Sequence, residues 1–173
     1  KFEFVRGDAA DMPFEDETFD TIIMNDAMEH VDKPEKVIEE CYRVLKKDGR
    51  LYLNFPPYNH PYGAHLSDAV GIPWVHVFFS EKTLIKAYKE LVKDLPDGQD
   101  RIDFRISKKE DGSEYFSYIN KMSIKRANKI LQNSKFHLEY YKEEPLRSFF
   151  KYPAKLPFLK EFLVKMVVCV LKK

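Results

Sequence analysis

The chain has 173 residues, of which 44% are hydrophobic, 33% charged and 14% aromatic, and its formal net charge is +1. This balance predicts a globular domain with its own hydrophobic core, and it argues against a disordered segment or a strongly basic nucleic-acid-binding domain. The longest apolar stretch, residues 162–171, is interrupted by Lys165 and is too short for a bilayer, which needs roughly 20 apolar residues. Cys41 and Cys169 are far apart and form no metal-type pattern, so we expect reduced thiols and a cytoplasmic protein.

The first 55 residues predict alternating strands and helices. A short strand is predicted over residues 2–6, and the apolar run over 19–25 is typical of a strand buried on both faces. A helix is predicted to begin near Pro34 and to stop at Gly49, and a second buried strand follows over 51–55. This alternation indicates a parallel α/β sheet.

The remaining residues are less regular. Residues 56–79 form a predicted loop rich in tyrosine, histidine, proline and glycine, and residues 101–119 predict a hairpin around an Asp-Gly turn. Ser80 and Ser123 are each placed to cap a helix. Late strands are predicted over 136–141 and 165–171. With no linker in view, we expect residues 1–173 to form a single domain that contains the loop and the hairpin.

Four blocks of sequence carry a family resemblance. They are V-R-G-D-A-A-D-M-P-F at 5–14, F-D-T-I-I-M-N-D-A-M-E-H-V at 19–31, K-P-E-K-V-I-E-E-C-Y-R-V-L-K-K-D-G at 33–49 and L-Y-L-N-F-P-P at 51–57. In their order and spacing they resemble the class I S-adenosylmethionine (SAM) dependent methyltransferases, in particular those that methylate small molecules. The resemblance implies a Rossmann-like sheet whose last strand is antiparallel and whose cofactor lies at the carboxyl ends of the strands.

The resemblance also implies a cofactor role for three positions. The Asp8 carboxylate would accept a hydrogen bond from the adenine amine, the Ala9 N–H would meet a ring nitrogen, and the backbone at Asn25 would lie along the cofactor. The glycine-rich D-x-G-x-G-x-G loop of the family has no counterpart in the sequence, and Lys1 stands where the family's third strand begins. We therefore expect a fragment that lacks the first two strands of the sheet and binds SAM poorly.

Two groups of residues are candidates for chemistry beyond the cofactor. His65 and His76 lie in the 56–79 loop, and histidine titrates near neutral pH, so either is a candidate general base or acceptor-binding group; packing is the alternative role. Asp26, Glu29 and His30 resemble the E-x-x-E-H metal motif of some O-methyltransferases. A helical turn would place the three on one side, where they are candidates to bind a divalent ion that activates a hydroxyl; a structural histidine is the alternative.

These observations predict transfer of a methyl group from SAM to a small-molecule acceptor or to a sugar- or lipid-linked one. The hairpin over 101–119 is a candidate lid over that acceptor or an oligomer contact. Two other functions stay open. One is a non-catalytic interaction module that keeps the fold and has lost the cofactor loop, and the other is a metal-dependent hydrolase that uses the histidine loop.

Overall fold

The structure is a computed structural model that describes residues 2–173. Its strands are β1 (Phe19–Asn25), β2 (Leu45–Phe55), β3 (Ile106–Lys108), β4 (Glu114–Phe116), β5 (His137–Pro145) and β6 (Val164–Lys172). Its α-helices are α1 (Pro34–Val44), α2 (Val75–Phe78), α3 (Glu81–Val92), α4 (Gly98–Arg105), α5 (Ile124–Asn133) and α6 (Pro157–Leu163), with short 3₁₀ turns at Ser148–Phe150 and Pro153–Lys155. Among the described residues, no helix is long and apolar enough to cross a membrane.

Four strands form the main sheet, in the order β1-β2-β6-β5. β1 and β2 are parallel, whereas β6 runs antiparallel to both of its neighbours, β2 and β5. The last strand of the chain therefore enters the middle of this sheet in the opposite direction to the others. The sheet is the mixed α/β sheet, with an antiparallel final strand, that the sequence predicted.

Helix α1 and strand β2 meet without a loop between them. The helix ends at Val44 and the strand begins at Leu45, and both of these side chains are fully buried. The prediction that Gly49 stops the helix was therefore wrong. Gly49 lies within β2, where a Cβ atom would come within 2.9 Å of the Lys46 carbonyl oxygen and 3.1 Å of the Asp20 carbonyl oxygen, so the glycine allows two strands to approach closely.

The core lies against one face of this sheet. Val37, Ile38 and Cys41 recur at helical spacing along α1 and are buried against a cluster that includes Leu51 and Leu53 of β2. Helix α5 adds Ala127, Ile130 and Leu131, which also recur at helical spacing, to the same cluster. The amphipathic pattern of each helix thus decides which of its own faces packs against the sheet.

The opposite face and the outer edge of β1 are open. The prediction of a strand over residues 2–6 was wrong: these residues form no strand, and the Phe2 and Phe4 side chains are 94% and 97% exposed. The predicted burial of β1 on both faces was also wrong, because only Met24 is buried and Ile23 is 74% exposed. A strand needs a neighbour for its backbone groups, and within residues 2–173 nothing pairs with the outer edge of β1.

A second hydrophobic cluster underlies residues 58–119. It joins the loop before α2 to helices α3 and α4 and to the β3–β4 pair, with Tyr88 and Val92 of α3 fully buried. As predicted, Ser80 caps α3 and Ser123 caps α5, since each side chain accepts a hydrogen bond from the N–H three residues on.

The hairpin predicted over residues 101–119 is only partly correct. β3 and β4 pair around Gly112, whose φ of 78° suits a glycine turn. Residues 101–105 belong instead to helix α4, and β3 begins only at Ile106. Two side-chain pairs at helical spacing, Asp97–Arg101 and Gln99–Asp103, stabilise that helix and outweigh the alternating pattern that suggested a strand.

Candidate functional site

The carboxyl ends of β1 and β2 are joined by side-chain hydrogen bonds. Asn25 and Asn54 are register partners, and Asn54 Nδ2 donates to Asn25 Oδ1 at 2.6 Å. Asn54 Oδ1 accepts from the backbone N–H of Asp26 at 2.9 Å, and Asp26 has a left-handed φ of 47°. The chain therefore turns sharply as it leaves β1. Asn54 was not predicted as a site residue, although a polar amide among the hydrophobic residues 51–55 is a recognisable signal.

The turn after β1 carries two of the predicted metal-binding residues. It is a tight turn and not the predicted helical turn, with His30 N–H donating to the Ala27 carbonyl oxygen at 3.0 Å. Asn120, distant in sequence, holds it. The Asn120 Nδ2 atom donates to the carbonyl oxygens of Met28 and Val31, both at 2.7 Å, and its backbone N–H donates to Glu29 O at 2.8 Å.

Glu29, His30 and His65 are brought together by this arrangement. Each offers one ligand atom, and these atoms all lie within 4.8 Å of one another. The rings of His30 and His65 pack edge to face with their centroids 5.0 Å apart, and His30 Nε2 lies 3.9 Å from Glu29 Oε1. Asp26 is not part of this group, so the predicted set of Asp26, Glu29 and His30 is only partly assembled, because the tight turn replaces the helical spacing.

Burial perturbs the titration of two members of the group. Glu29 is 1% exposed, and neither carboxylate oxygen has a hydrogen-bond partner within residues 2–173. Desolvation raises the pKa of Glu29 to about 6. Desolvation, followed by the neighbouring charge of His30, lowers the pKa of His65 to about 4. His65 is therefore neutral at physiological pH and a weaker base than an ordinary histidine.

The loop that carries His65 is shaped by close backbone packing. His65 has a left-handed φ of 50°, and its N–H donates to the Tyr62 carbonyl oxygen at 2.9 Å. Gly63 is buried, and a Cβ atom there would lie 1.8 Å from the Tyr58 carbonyl oxygen. Only glycine fits this position without moving the chain, so the loop geometry that delivers His65 depends on it.

His76, the second predicted catalytic histidine, lies outside the group of Glu29, His30 and His65. Its ring packs against Tyr58 with centroids 4.7 Å apart, and both ring nitrogens are buried without hydrogen-bond partners among the described residues. Burial lowers its pKa. The His76 ring thus packs within the 56–79 loop.

The segment around Asp8 offers one hydrogen-bond acceptor beside one donor. Asp8 Oδ1 accepts from Ala10 N–H at 2.9 Å, which leaves Oδ2 and the Ala9 N–H without partners among residues 2–173. Helix α1 ties down the following residues, because Glu40 accepts from Met12 N–H at 2.9 Å and Arg43 donates to two carbonyl oxygens of the segment. A free carboxylate oxygen beside a free N–H complements the amine and a ring nitrogen of adenine.

A groove between α1 and α5 lies apart from these groups. It is lined mainly by charged and polar side chains such as Glu35, Lys129 and Lys135. None of the predicted site residues faces it.

Comparison with known proteins relates the front of the chain to one family. Residues 1–53 match the family model described as "Methyltransferase domain". A demethylmenaquinone methyltransferase of Clavibacter sepedonicus is 40% identical over 53 residues, which are 31% of this chain and 22% of that protein. The ubiquinone/menaquinone biosynthesis C-methyltransferase UbiE of Ruegeria sp. (strain TM1040) is 43% identical over 49 residues, 28% of this chain and 20% of that protein. The matches span about a fifth of the length of these relatives.

The whole chain matches known structures by fold. A SAM-dependent methyltransferase of Methanosarcina mazei superposes with a TM-score of 0.54 at 18% identity, over 100% of this chain and 68% of that one. At this identity the match speaks for the fold alone. It confirms the α/β fold class predicted from the sequence, and the family match of residues 1–53 confirms the resemblance.

Proposed function

Since the chain has the fold of the class I SAM-dependent methyltransferases and its first 53 residues match their methyltransferase-domain family, we propose that the protein to which it belongs transfers a methyl group from SAM to a small-molecule acceptor. The observation that carries the proposal is the convergence of polar side chains at the carboxyl ends of β1 and β2. Asn25, Asn54, Glu29 and His30 all lie there or in the turn that follows. Open α/β sheets bind their ligands at this edge.

The cofactor supplies an electrophilic methyl group on a sulfonium centre. Asp8 and Ala9 are proposed to bind its adenine, because they present the acceptor and the donor described above. Their position is held by the hydrogen bonds of Glu40 and Arg43 to the segment that follows. The backbone at Asn25 is proposed to lie along the cofactor. The left-handed φ of Asp26 turns the chain sharply directly after Asn25. We propose that residues 1–173 alone bind SAM weakly, because the glycine-rich loop motif is missing from their sequence.

The proposed acceptor is a small aromatic molecule of the quinone or phenol class, of which lipid-linked quinones are one kind. Aromatic rings gather beside the strand ends: His30 lies between His65 and Tyr118, with ring centroids 5.0 Å and 6.3 Å away. Such rings favour flat, apolar ligands. The two relatives above are named for demethylmenaquinone and for ubiquinone and menaquinone biosynthesis, which agrees with this class.

His65 and His76 are proposed to position the acceptor and not to remove its proton. A general base works best when its pKa lies near the operating pH. Burial moves the pKa of both histidines down, that of His65 to about 4. Neutral imidazoles still donate and accept hydrogen bonds, so they remain suited to orienting a hydroxyl or carbonyl group.

Titration of the ¹⁵N-labelled chain with S-adenosylhomocysteine tests the cofactor site. We expect the Ala9 amide resonance to shift, and Asp8→Ala to weaken binding about 10- to 100-fold, because a hydrogen bond to a charged acceptor contributes roughly 1.5–3 kcal/mol. Asp11→Ala is the matched control, since Asp11 is also exposed and its side chain makes no hydrogen bond in the structure. Shifts confined to the α1–α5 groove, or equal effects of the two variants, would refute the assignment.

Methyl transfer itself is tested with methyl-tritiated SAM and a panel of quinols, catechols and simple phenols. Label in an organic-extractable product identifies the acceptor, and mass spectrometry distinguishes C- from O-methylation. Failure of every acceptor under conditions where the cofactor binds would contradict the proposed activity while leaving the cofactor site intact.

A further inference from the structure

We propose that Glu29, His30 and His65 bind one divalent transition-metal ion, of the class that includes Zn²⁺, at the carboxyl end of β1. The proposal differs from the metal site predicted by sequence, because His65 of the 56–79 loop takes the place of Asp26. Two imidazoles and one carboxylate make a donor set that selects transition metals, whereas Mg²⁺ prefers oxygen ligands alone.

The first argument is the state of the Glu29 carboxylate. It is 1% exposed, and neither oxygen has a hydrogen-bond partner among the described residues. Buried carboxylates in proteins are normally paired, hydrogen-bonded or bound to a metal. The nearest cationic candidate is His30, whose Nε2 atom is 3.9 Å from Oε1, too far for a hydrogen bond. A cation between these groups would satisfy the carboxylate.

The second argument is the orientation of His30. Its Nδ1 atom lies 2.7 Å from the carbonyl oxygen of Tyr118, so this nitrogen carries the proton and donates it. The lone pair of the neutral ring is then on Nε2, the atom that faces Glu29. Metal-binding histidines usually donate their second ring N–H to a carbonyl or carboxylate in this way. Asn120 donates hydrogen bonds to the same turn, so Glu29 and His30 are held in place before any ion binds.

The third argument is the way His65 reaches the group. Its backbone is in the left-handed region, with φ at 50°, which is unfavourable for a residue with a side chain. Strained backbone of this kind gathers at binding and catalytic sites. The close packing of Gly63 on Tyr58 helps to hold the turn that places the His65 ring 5.0 Å from that of His30.

The spacing of the three ligands suits one ion after a small adjustment. Two ligands about 2.1 Å from a shared tetrahedral ion are about 3.4 Å apart. The 3.9 Å between His30 Nε2 and Glu29 Oε1 must therefore shorten by about half an ångström, and the widest of the three separations, at most 4.8 Å, by up to about 1.4 Å. Three protein ligands leave one position open. If the proposed methyl transfer holds, a hydroxyl or carbonyl oxygen of the acceptor would take it.

Metal titration of the purified chain, without SAM or acceptor, tests the proposal. After dialysis against a chelator, Zn²⁺ affinity is measured by competition with a chromophoric chelator, and Co²⁺ is added as a spectroscopic probe of ligand number. We expect one ion per chain and visible Co²⁺ bands of a four-coordinate site. Glu29→Gln and His65→Gln should each weaken Zn²⁺ binding more than about 100-fold, beyond the 10–100-fold typical of losing a supporting partner.

His137→Gln is the matched control, because it removes an exposed imidazole on β5 that belongs to no ligand group among the described residues. It should bind Zn²⁺ like the wild type. Thermal unfolding of each metal-free variant checks that it folds, and Zn²⁺ should raise the melting temperature only where the site is intact. Zn²⁺ binding that survives Glu29→Gln, no saturable binding at all, or a preference for Mg²⁺ would overturn the proposal. None of these outcomes depends on methyl transfer.

Discussion

Replacement of Asn120 by alanine should destabilise the turn that carries Glu29 and His30. The Asn120 side chain donates from Nδ2 to the carbonyl oxygens of Met28 and Val31, both at 2.7 Å. Asn120 precedes α5 by four residues, whereas the turn directly follows β1. One side chain therefore joins two distant parts of the chain at the site.

The magnitude follows from counting polar groups on both sides of the change. Two hydrogen bonds of about 1 kcal/mol each are lost, and carbonyl oxygens left unpaired cost roughly 1–3 kcal/mol more where water cannot reach them. Met28 is fully buried, so this penalty applies at least to its carbonyl. The buried Asn120 Oδ1 atom has no hydrogen-bond partner in the described part of the chain, and its removal returns about 1 kcal/mol. The expected net loss is about 2–4 kcal/mol, or about 4–16 °C in melting temperature.

Chemical and thermal unfolding of the metal-free chain measure this loss. Asn133→Ala is the control: Asn133 is exposed at the end of α5, and its replacement should change stability by less than about 0.5 kcal/mol. Asn120→Asp keeps the shape but turns the donor into an acceptor facing two carbonyl oxygens, so it should cost at least as much as alanine. Equal stabilities of Asn120→Ala and Asn133→Ala would refute the reasoning.

Two further predictions concern elements that support the site. Glu40 forms a salt bridge with Arg43. The hydrogen bond from the Arg43 guanidinium is the main cause that lowers the pKa of Glu40 to about 2. Because a lowered pKa stabilises the fold above pH 4.5, Glu40→Gln should lose about 1–2 kcal/mol at pH 7 after discounting for solvent screening. The difference from wild type should shrink as pH falls towards 2 in urea unfolding, and the control Glu39→Gln, at a side chain that is 69% exposed, should change stability at pH 7 by less than about 0.5 kcal/mol. Gly63→Ala should cost about 1–3 kcal/mol and weaken Zn²⁺ binding, because its Cβ overlaps a backbone carbonyl. Gly71→Ala, with nothing within 4 Å of its Cβ, should be neutral or slightly stabilising, and calorimetry that ranks the pair the other way would contradict the packing argument.

Local patterns predicted the elements whose partners are near in sequence. Pro34 marked where α1 begins, and the hydroxyl groups of Ser80 and Ser123 marked where two further helices begin. Apolar residues at helical spacing form the inner face of α1. The order of the four sequence blocks over residues 5–57 was enough to indicate the fold class and the family. These signals are local because helix periodicity and capping depend on residues within a few positions of each other.

Predictions failed where a segment depends on a neighbour supplied by another part of a sheet. Residues 2–6 carry a strand pattern with three apolar side chains but find no strand to pair with, and they are exposed. Ile23 of β1 also stays exposed, because its apolar side chain lies on the face of the sheet that no helix covers among residues 2–173. Hydrophobicity records the tendency to be buried, while the availability of a partner decides whether burial occurs.

The same distinction between local and long-range contacts applies to the candidate site. The residue types at Asp8, Glu29, His30 and His65 could be recognised from the sequence alone. So could the end of β1, near which Glu29 and His30 lie, because a strand and the turn after it are contiguous in the chain. That His65 and not Asp26 joins Glu29 and His30 was decided only by the tertiary structure. So was the support from Asn120, some 90 residues away from the turn it holds. Contacts across such separations depend on how loops pack over the sheet, and no local pattern in the sequence encodes that packing.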